Sequence, residues 1–147
     1  MDTDVLNFAS DAAFARLKDA GGDLSSLSVA LRTFVMVYSA QGIIDNGGLE
    51  YFYLKDFDGQ PAYDEFVEAY ARIGASSAAN CIDRSSRLFG ISDPHMHEAK
   101  RELFLMDETG KGLQQLKFLS DAICRDASVW ECLCSFVAAN RTEFDPI

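Results

Sequence analysis

An all-α domain is expected from this 147-residue chain. Three observations point to it: apolar residues recur at intervals of three and four, alternating β-branched runs are missing, and no Asn-Gly hairpin joins two such runs. At this length the prior is a single compact domain, here of seven or eight short helices around a central apolar one. Such a domain hides roughly 70% of the surface its unfolded chain would expose, so it needs no metal or disulfide staple. Apolar residues at 48% and aromatics at 12% are too abundant for a disordered chain.

The first helix is expected from Ser10 to Ala20, with Ser10 as N-cap, Gly21-Gly22 as the stop, and Ala13, Phe14 and Leu17 on one face. The second should run from about Leu27 to Ile44, capped by Ser25 or Ser26. Its stripe of Leu27, Leu31, Phe34 and Tyr38 is widened by Ala30, Val35, Val37 and Ile44 nearly all round, which places it at the centre. Asp45-Asn46-Gly47-Gly48 ends it. Asn46, Gly47 and Gly48 read as a structural turn in which the Asn amide ties its own loop, the functional alternative being a turn that presents backbone N–H groups to a ligand. A short helix from Leu49 to Lys55 follows, carrying Tyr51, Phe52 and Tyr53. Tyr51 and Tyr53 point about 200° apart on a helix, so at least one can reach the surface.

Pro61 suits the first turn of the next helix, which runs to about Ile73 and stops at Gly74. It presents Phe66, Val67, Tyr70 and Ile73 inward and Asp64, Glu65 and Glu68 outward. A helix from Ser76 to Phe89 puts Ala78, Ile82 and Phe89 on one face and stops at Gly90. Asp93-Pro94 starts a helix whose apolar positions are Met96, Ala99, Leu103 and Met106. Leu113, Leu116, Ser120 and Ile123 define another before Arg125. In Ser128-Val129-Trp130-Glu131, a capping-box pattern, Ser and Glu can satisfy each other's free backbone N–H groups. Leu133, Phe136 and Val137 bury that last helix.

Little in this sequence announces catalysis. His95 and His97 are two apart and diverge on a helix, and His97-Glu98 lacks a second histidine four residues on, where Arg101 stands. Cys132 and Cys134 diverge in the same way, and Cys81, Cys124, Cys132 and Cys134 read as buried small hydrophobes in a reduced cytoplasm. G-x-S-x-G and phosphate-cradling glycine loops are missing. A nuclease would need a basic groove, and the charge runs the other way. No cofactor and no metal is expected. Met1-Asp2-Thr3-Asp4 is acidic where a secretory signal is basic and then apolar. The apolar-rich stretch Thr33 to Ile44 is far shorter than the roughly 20 residues that span a bilayer.

The charge distribution is more informative. The chain holds 23 acids against 13 Lys and Arg, a formal charge of −10, which would repel a nucleic acid or an anionic membrane. Residues 45–68 carry seven acids, Asp45, Glu50, Asp56, Asp58, Asp64, Glu65 and Glu68, against one base, Lys55. That leaves −6 there and −2 on each flanking part. If those carboxylates lie bare and close together, they would steer a basic partner onto this face. The alternative is an ordinary solvated helix face, with Arg72, Arg84 or Arg87 folding over to neutralise it.

The stretch Tyr38-Ser39-Ala40-Gln41-Gly42-Ile43-Ile44-Asp45-Asn46-Gly47-Gly48-Leu49-Glu50-Tyr51-Phe52 resembles the signature of the bacterial DNA-mimic protein family of the DMP type, although Leu49 stands where the family often has Phe. Tyr70-Ala71-Arg72-Ile73-Gly74-Ala75 resembles its second marker, and Phe136 to Phe144 its closing helix with an Asn-x-x-x-Phe ending. The resemblance covers roughly residues 25 to 145. It implies an all-helical fold, no known catalysis, and a role in which surface carboxylates imitate duplex phosphates on the DNA-binding surface of a regulator.

The leading expectation is therefore a non-enzymatic, cytoplasmic, acidic binding protein that docks a basic protein surface. An immunity or antitoxin-like inhibitor of a basic toxin uses the same physics with another partner. An enzyme with an unrecognised helical site is the third reading, and a homodimer is left open.

Overall fold

Spacings of three and four become helices throughout the computed structural model, which describes residues 2–145. In order these are α1 (Thr3–Asp19), α2 (Val29–Leu54), α3 (Tyr63–Arg72), α4 (Ser76–Arg87), α5 (Glu98–Met106), α6 (Lys111–Ile123), α7 (Ala127–Ala139) and α8 (Arg141–Phe144). Short 3-10 turns at Leu24–Ser26 and Pro94–Met96 precede α2 and α5, and the described residues contain no strand. The two helices anticipated over residues 27–55 are the two arms of α2, parted at Gly47 and Gly48, where the backbone leaves helical geometry, and Arg141–Phe144 adds a turn of its own.

Helix α2 is the spine. It packs against α1, α3, α5, α6, α7 and α8. Phe34, Val37, Ala40 and Ile44 from its first arm, and Leu49, Phe52 and Tyr53 from its second, are sealed from water. Burying a large apolar side chain stabilises by about 1.5–3 kcal/mol, so this one element supplies much of the folding drive.

The kink lies where a helix stop was expected. Gly48 adopts φ +75°, and a Cβ there would lie 2.5 Å from Ser120 Oγ. The break frees the Leu49 N–H, which donates to Ser120 Oγ at 2.8 Å and ties the bend to α6. A Cβ on Gly47 would run into the Tyr51 ring, so a side chain at either glycine forces a neighbour to move. The Asn46 side chain, however, is exposed and makes no hydrogen bond among the described residues; it does not tie the loop.

Several boundaries differ from the sequence expectation because a better cap lies nearby. Asp2 accepts the Val5 N–H at 3.2 Å and starts α1 well before Ser10, which falls inside the helix. Ser28 caps α2, while Ser25 and Ser26 belong to a turn organised by the Asp23 carboxylate. Pro61 precedes α3 instead of opening it: Ala62 is the N-cap, and Glu65 accepts its N–H at 2.8 Å. The pattern at Ser128 and Glu131 is not the start of α7. Arg125 turns left-handed (φ +59°), and Asp126 caps the helix by accepting the Ser128 N–H at 3.0 Å. Gly74 does end α3: at φ +88° its N–H reaches Ala71 O, and the Ala75 N–H reaches Tyr70 O, both at 3.0 Å.

Helix α5 is rotated relative to the expectation. Met96, Leu103 and Met106 face solvent, Leu103 and Met106 being 70% and 75% exposed. The side chain buried instead is Arg101, at 1% exposure. Its guanidinium donates to Tyr53 O (2.8 Å), Pro94 O (2.8 Å) and His95 O (3.0 Å), and reaches Asp56 Oδ1 at 3.3 Å. Buried charge is tolerated only when so fully paired, and here that pairing outweighs the apolar stripe. The cysteines are also less uniform than expected. Cys81 is buried, whereas Cys124, Cys132 and Cys134 are half-buried, and all four are free thiols.

Candidate functional site

The structure sorts the seven carboxylates of residues 45–68 into different roles. Asp45 is a structural acceptor. Its oxygens receive the Gln41 amide (2.8 Å), the Arg125 backbone N–H (2.7 Å) and the Trp130 indole N–H (2.8 Å). Gln41 in turn accepts the Tyr70 hydroxyl at 2.9 Å and donates to Ile123 O at 3.0 Å, so Asp45 completes a network joining α2, α3, α6 and α7. Glu50 is half-buried, and its Oε1 is shielded from water without a hydrogen-bond partner among the described residues. Neither belongs to a bare acidic face.

Asp56 is clamped from behind by Arg101, and Glu65 holds the first turn of α3. Asp58, Asp64 and Glu68 are exposed and form no ion pair within 4 Å among the described residues. Of the arginines considered as neutralisers, Arg72 donates to Thr33 Oγ1 at 3.0 Å and Arg87 pairs with Asp83 at 3.1 Å. Arg84 makes no ion pair among the described residues. Arg101, which the charge reading left out, is the one that reaches the segment. Successive residues on a helix are turned by about 100°, so Asp64 points away from Glu65. It lines a depression with Ser86, Arg87, Asp93 and His95.

Asp58 and Glu65 line a cleft between α1, α2, α3 and the 55–62 loop. One end, of about 260 Å³, carries the charged and polar side chains Asp23, Ser25, Arg32, Asp58 and Glu65. The other, of about 430 Å³, is apolar and lined by Phe14, Leu17, Val35, Ile43, Phe57 and Phe66, with Lys55 at its edge. Gly22, Leu24, Met36, Asp58 and Pro61 border both ends, so the two are continuous. Glu68 lies three residues from Glu65, on nearly the same side of α3. Asp23 joins this site through space from the connection before α2. Hydrogen bonds from Ser25 and Ser26 hold its carboxyl below the usual range. It sits 35 positions from Asp58 in the chain, and no local pattern connects the two.

The wall of the cleft is aromatic and fixed. Phe57 rests on Phe52 and Phe66, with ring centroids 5.5 and 5.0 Å apart, and Tyr63 meets Phe52 and Tyr53 at 5.6 and 4.9 Å. Burial pushes the Tyr63 phenol up to about 12, the Arg101 guanidinium drawing it back and the Asp56 carboxylate raising it. Tyr53 is buried and hydrogen-bonded to Ser85 Oγ at 2.5 Å, whereas Tyr51 is exposed.

The family model described as DMP19-like protein matches residues 25–140. The chain belongs to the DMP19-like family. The matched region runs from the 3-10 turn before α2 through α7, so the DMP19-like core contains the Gly47-Gly48 kink, the Asp45 network and the Arg101 clamp. Asp58, Glu65 and Glu68 lie within it; Asp23 and the α1 wall of the cleft lie outside. No curated protein and no solved structure matches the chain. Among the described residues, no helix is long and apolar enough to cross a membrane, and no group of three or more His, Cys, Asp or Glu residues is placed to hold a metal ion.

Proposed function

We propose that this protein is a non-enzymatic acidic binding protein that docks the basic surface of a partner protein, the basic surface being one that otherwise meets DNA phosphates. The observation that carries this reading is the state of Asp58 and Glu68. Both are exposed, both lack a cationic neighbour within 4 Å among the described residues, and Asp58 stands two residues beyond Asp56, which Arg101 holds from behind. Carboxylates held this way attract the Lys and Arg side chains that bind phosphate, without the entropy cost of ordering a loop. The formal charge of −10 repels nucleic acid itself, so the partner is protein.

The test is capture of host proteins on the immobilised chain at about 50 mM and 500 mM salt, where screening shortens the reach of exposed charges severalfold. Asp58→Lys with Glu68→Lys removes the captured partner while leaving the helical spectrum intact, because neither side chain carries a structural hydrogen bond. Capture insensitive to both salt and charge reversal would overturn the proposal.

A further inference from the structure

The cleft is unlike a purely acidic surface in having an apolar end beside its charges. We infer that it takes one large apolar side chain from a basic partner segment, whose neighbouring Lys or Arg residues meet Asp58 and Glu65. The inference rests on the acidic docking reading above and specifies what the partner must carry.

Three features lead to this occupant. The apolar end, about 430 Å³, falls within the roughly 300–1,000 Å³ of preformed ligand pockets. Its wall is set in place by Phe57 packed on Phe52 and Phe66, so it exists before a partner arrives. The charge at its mouth selects the flanks of the incoming segment. Asp23, Asp58 and Glu65 outnumber Arg32 and Lys55 in the lining. The balance of charge at that mouth favours a cationic segment over an anionic or uncharged one. The division of labour follows general interface physics: the buried apolar anchor slows dissociation, and the exposed charges hasten association.

The probes are two capped synthetic helical peptides of Lys and Ala, identical except for Phe or Ala at the central position. The Phe peptide is expected to bind at least about tenfold more tightly, the range set by burying one aromatic side chain. It alone should shift the methyl resonances of Leu17, Val35 and Ile43 in the wild-type protein. Ser39→Trp, placed in the apolar end, should reduce the Phe peptide to the affinity of the Ala peptide and leave the latter unchanged. The methyl shifts stand without that variant should it fold poorly. Equal affinities of the two peptides, with no methyl shifts, would overturn the anchor while leaving acidic docking in place. Failure of both peptides to bind at low salt would overturn the two together.

Discussion

The Asp45 carboxylate accepts the indole N–H of Trp130 at 2.8 Å, joining the middle of α2 to the first turn of α7 across 85 positions of chain. With Gln41 and the Arg125 amide on the same two oxygens, this acid is as much a part of the interior as the apolar side chains beside it.

Asp45→Ala should therefore destabilise the fold by about 2–4 kcal/mol, because it strands three donors that lose a charged acceptor. Urea denaturation reads this as a lower midpoint. Asp58→Ala, with no structural bond to lose, should stay within about 0.5 kcal/mol of wild type.

Arg101→Met should cost about 3–5 kcal/mol, since it leaves the carbonyls of Tyr53, Pro94 and His95 without their shared donor. On the same helix, Leu103→Lys should be nearly neutral, because that side chain is 70% exposed. If Leu103→Lys unfolds the protein and Arg101→Met does not, the orientation of α5 is wrong.

Gly48→Ala should destabilise by about 1–3 kcal/mol, from a left-handed backbone and a Cβ driven onto Ser120 Oγ. Adding Ser120→Ala should recover the steric part while losing the bond to the Leu49 N–H. The two changes should then be non-additive in a double-mutant cycle, with a coupling of about 0.5 kcal/mol or more.

Alkaline pH should unfold the protein cooperatively. Burial raises the phenols of Tyr53, Tyr63 and Tyr70 above their ordinary value of 10.0, Tyr63 to about 12. Above pH 10 the unfolded chain loses these protons while the folded one keeps them, so stability is full below that pH and declines as pH climbs toward 12 and beyond. Absorbance at 295 nm should rise for these three tyrosines in step with loss of the helical signal. Their ionisation ahead of unfolding would contradict their burial.

The fold was legible where a single residue decides a local outcome. Gly74 could end α3 from its own backbone freedom, and the all-round apolar character of residues 30–44 could come only from a central helix. Legibility failed where two distant residues decide together. Arg101 looks like an outward charge until Tyr53, Pro94 and Asp56 come round it, and its burial turns Leu103 and Met106 to solvent. Ser128 with Glu131 satisfies a local capping pattern, but Asp126 reaches the free amides first once Arg125 has turned. The candidate site suffered the same way. Asp45 reads as surface charge in the sequence because Trp130 and Arg125 are 80 or more positions distant, and Asp23 lies outside the acidic segment, joined to Asp58 only by the folding that puts both in the cleft.

The Arg101 clamp also fixes one end of the loop that borders the cleft. Asp56 and the Tyr53 carbonyl are held at one end of the 55–62 stretch, Phe57 is wedged among rings within it, and α3 begins at Tyr63. Only five residues lie between Phe57 and Tyr63, with the Gln60 N–H bonded to Phe57 O and the Ala62 N–H to Glu65. If the cleft docks a basic segment as proposed, its selectivity is that of a rigid mould: a segment whose bulky side chain and cations are spaced to suit would be accepted, and one with the same composition in another order turned away.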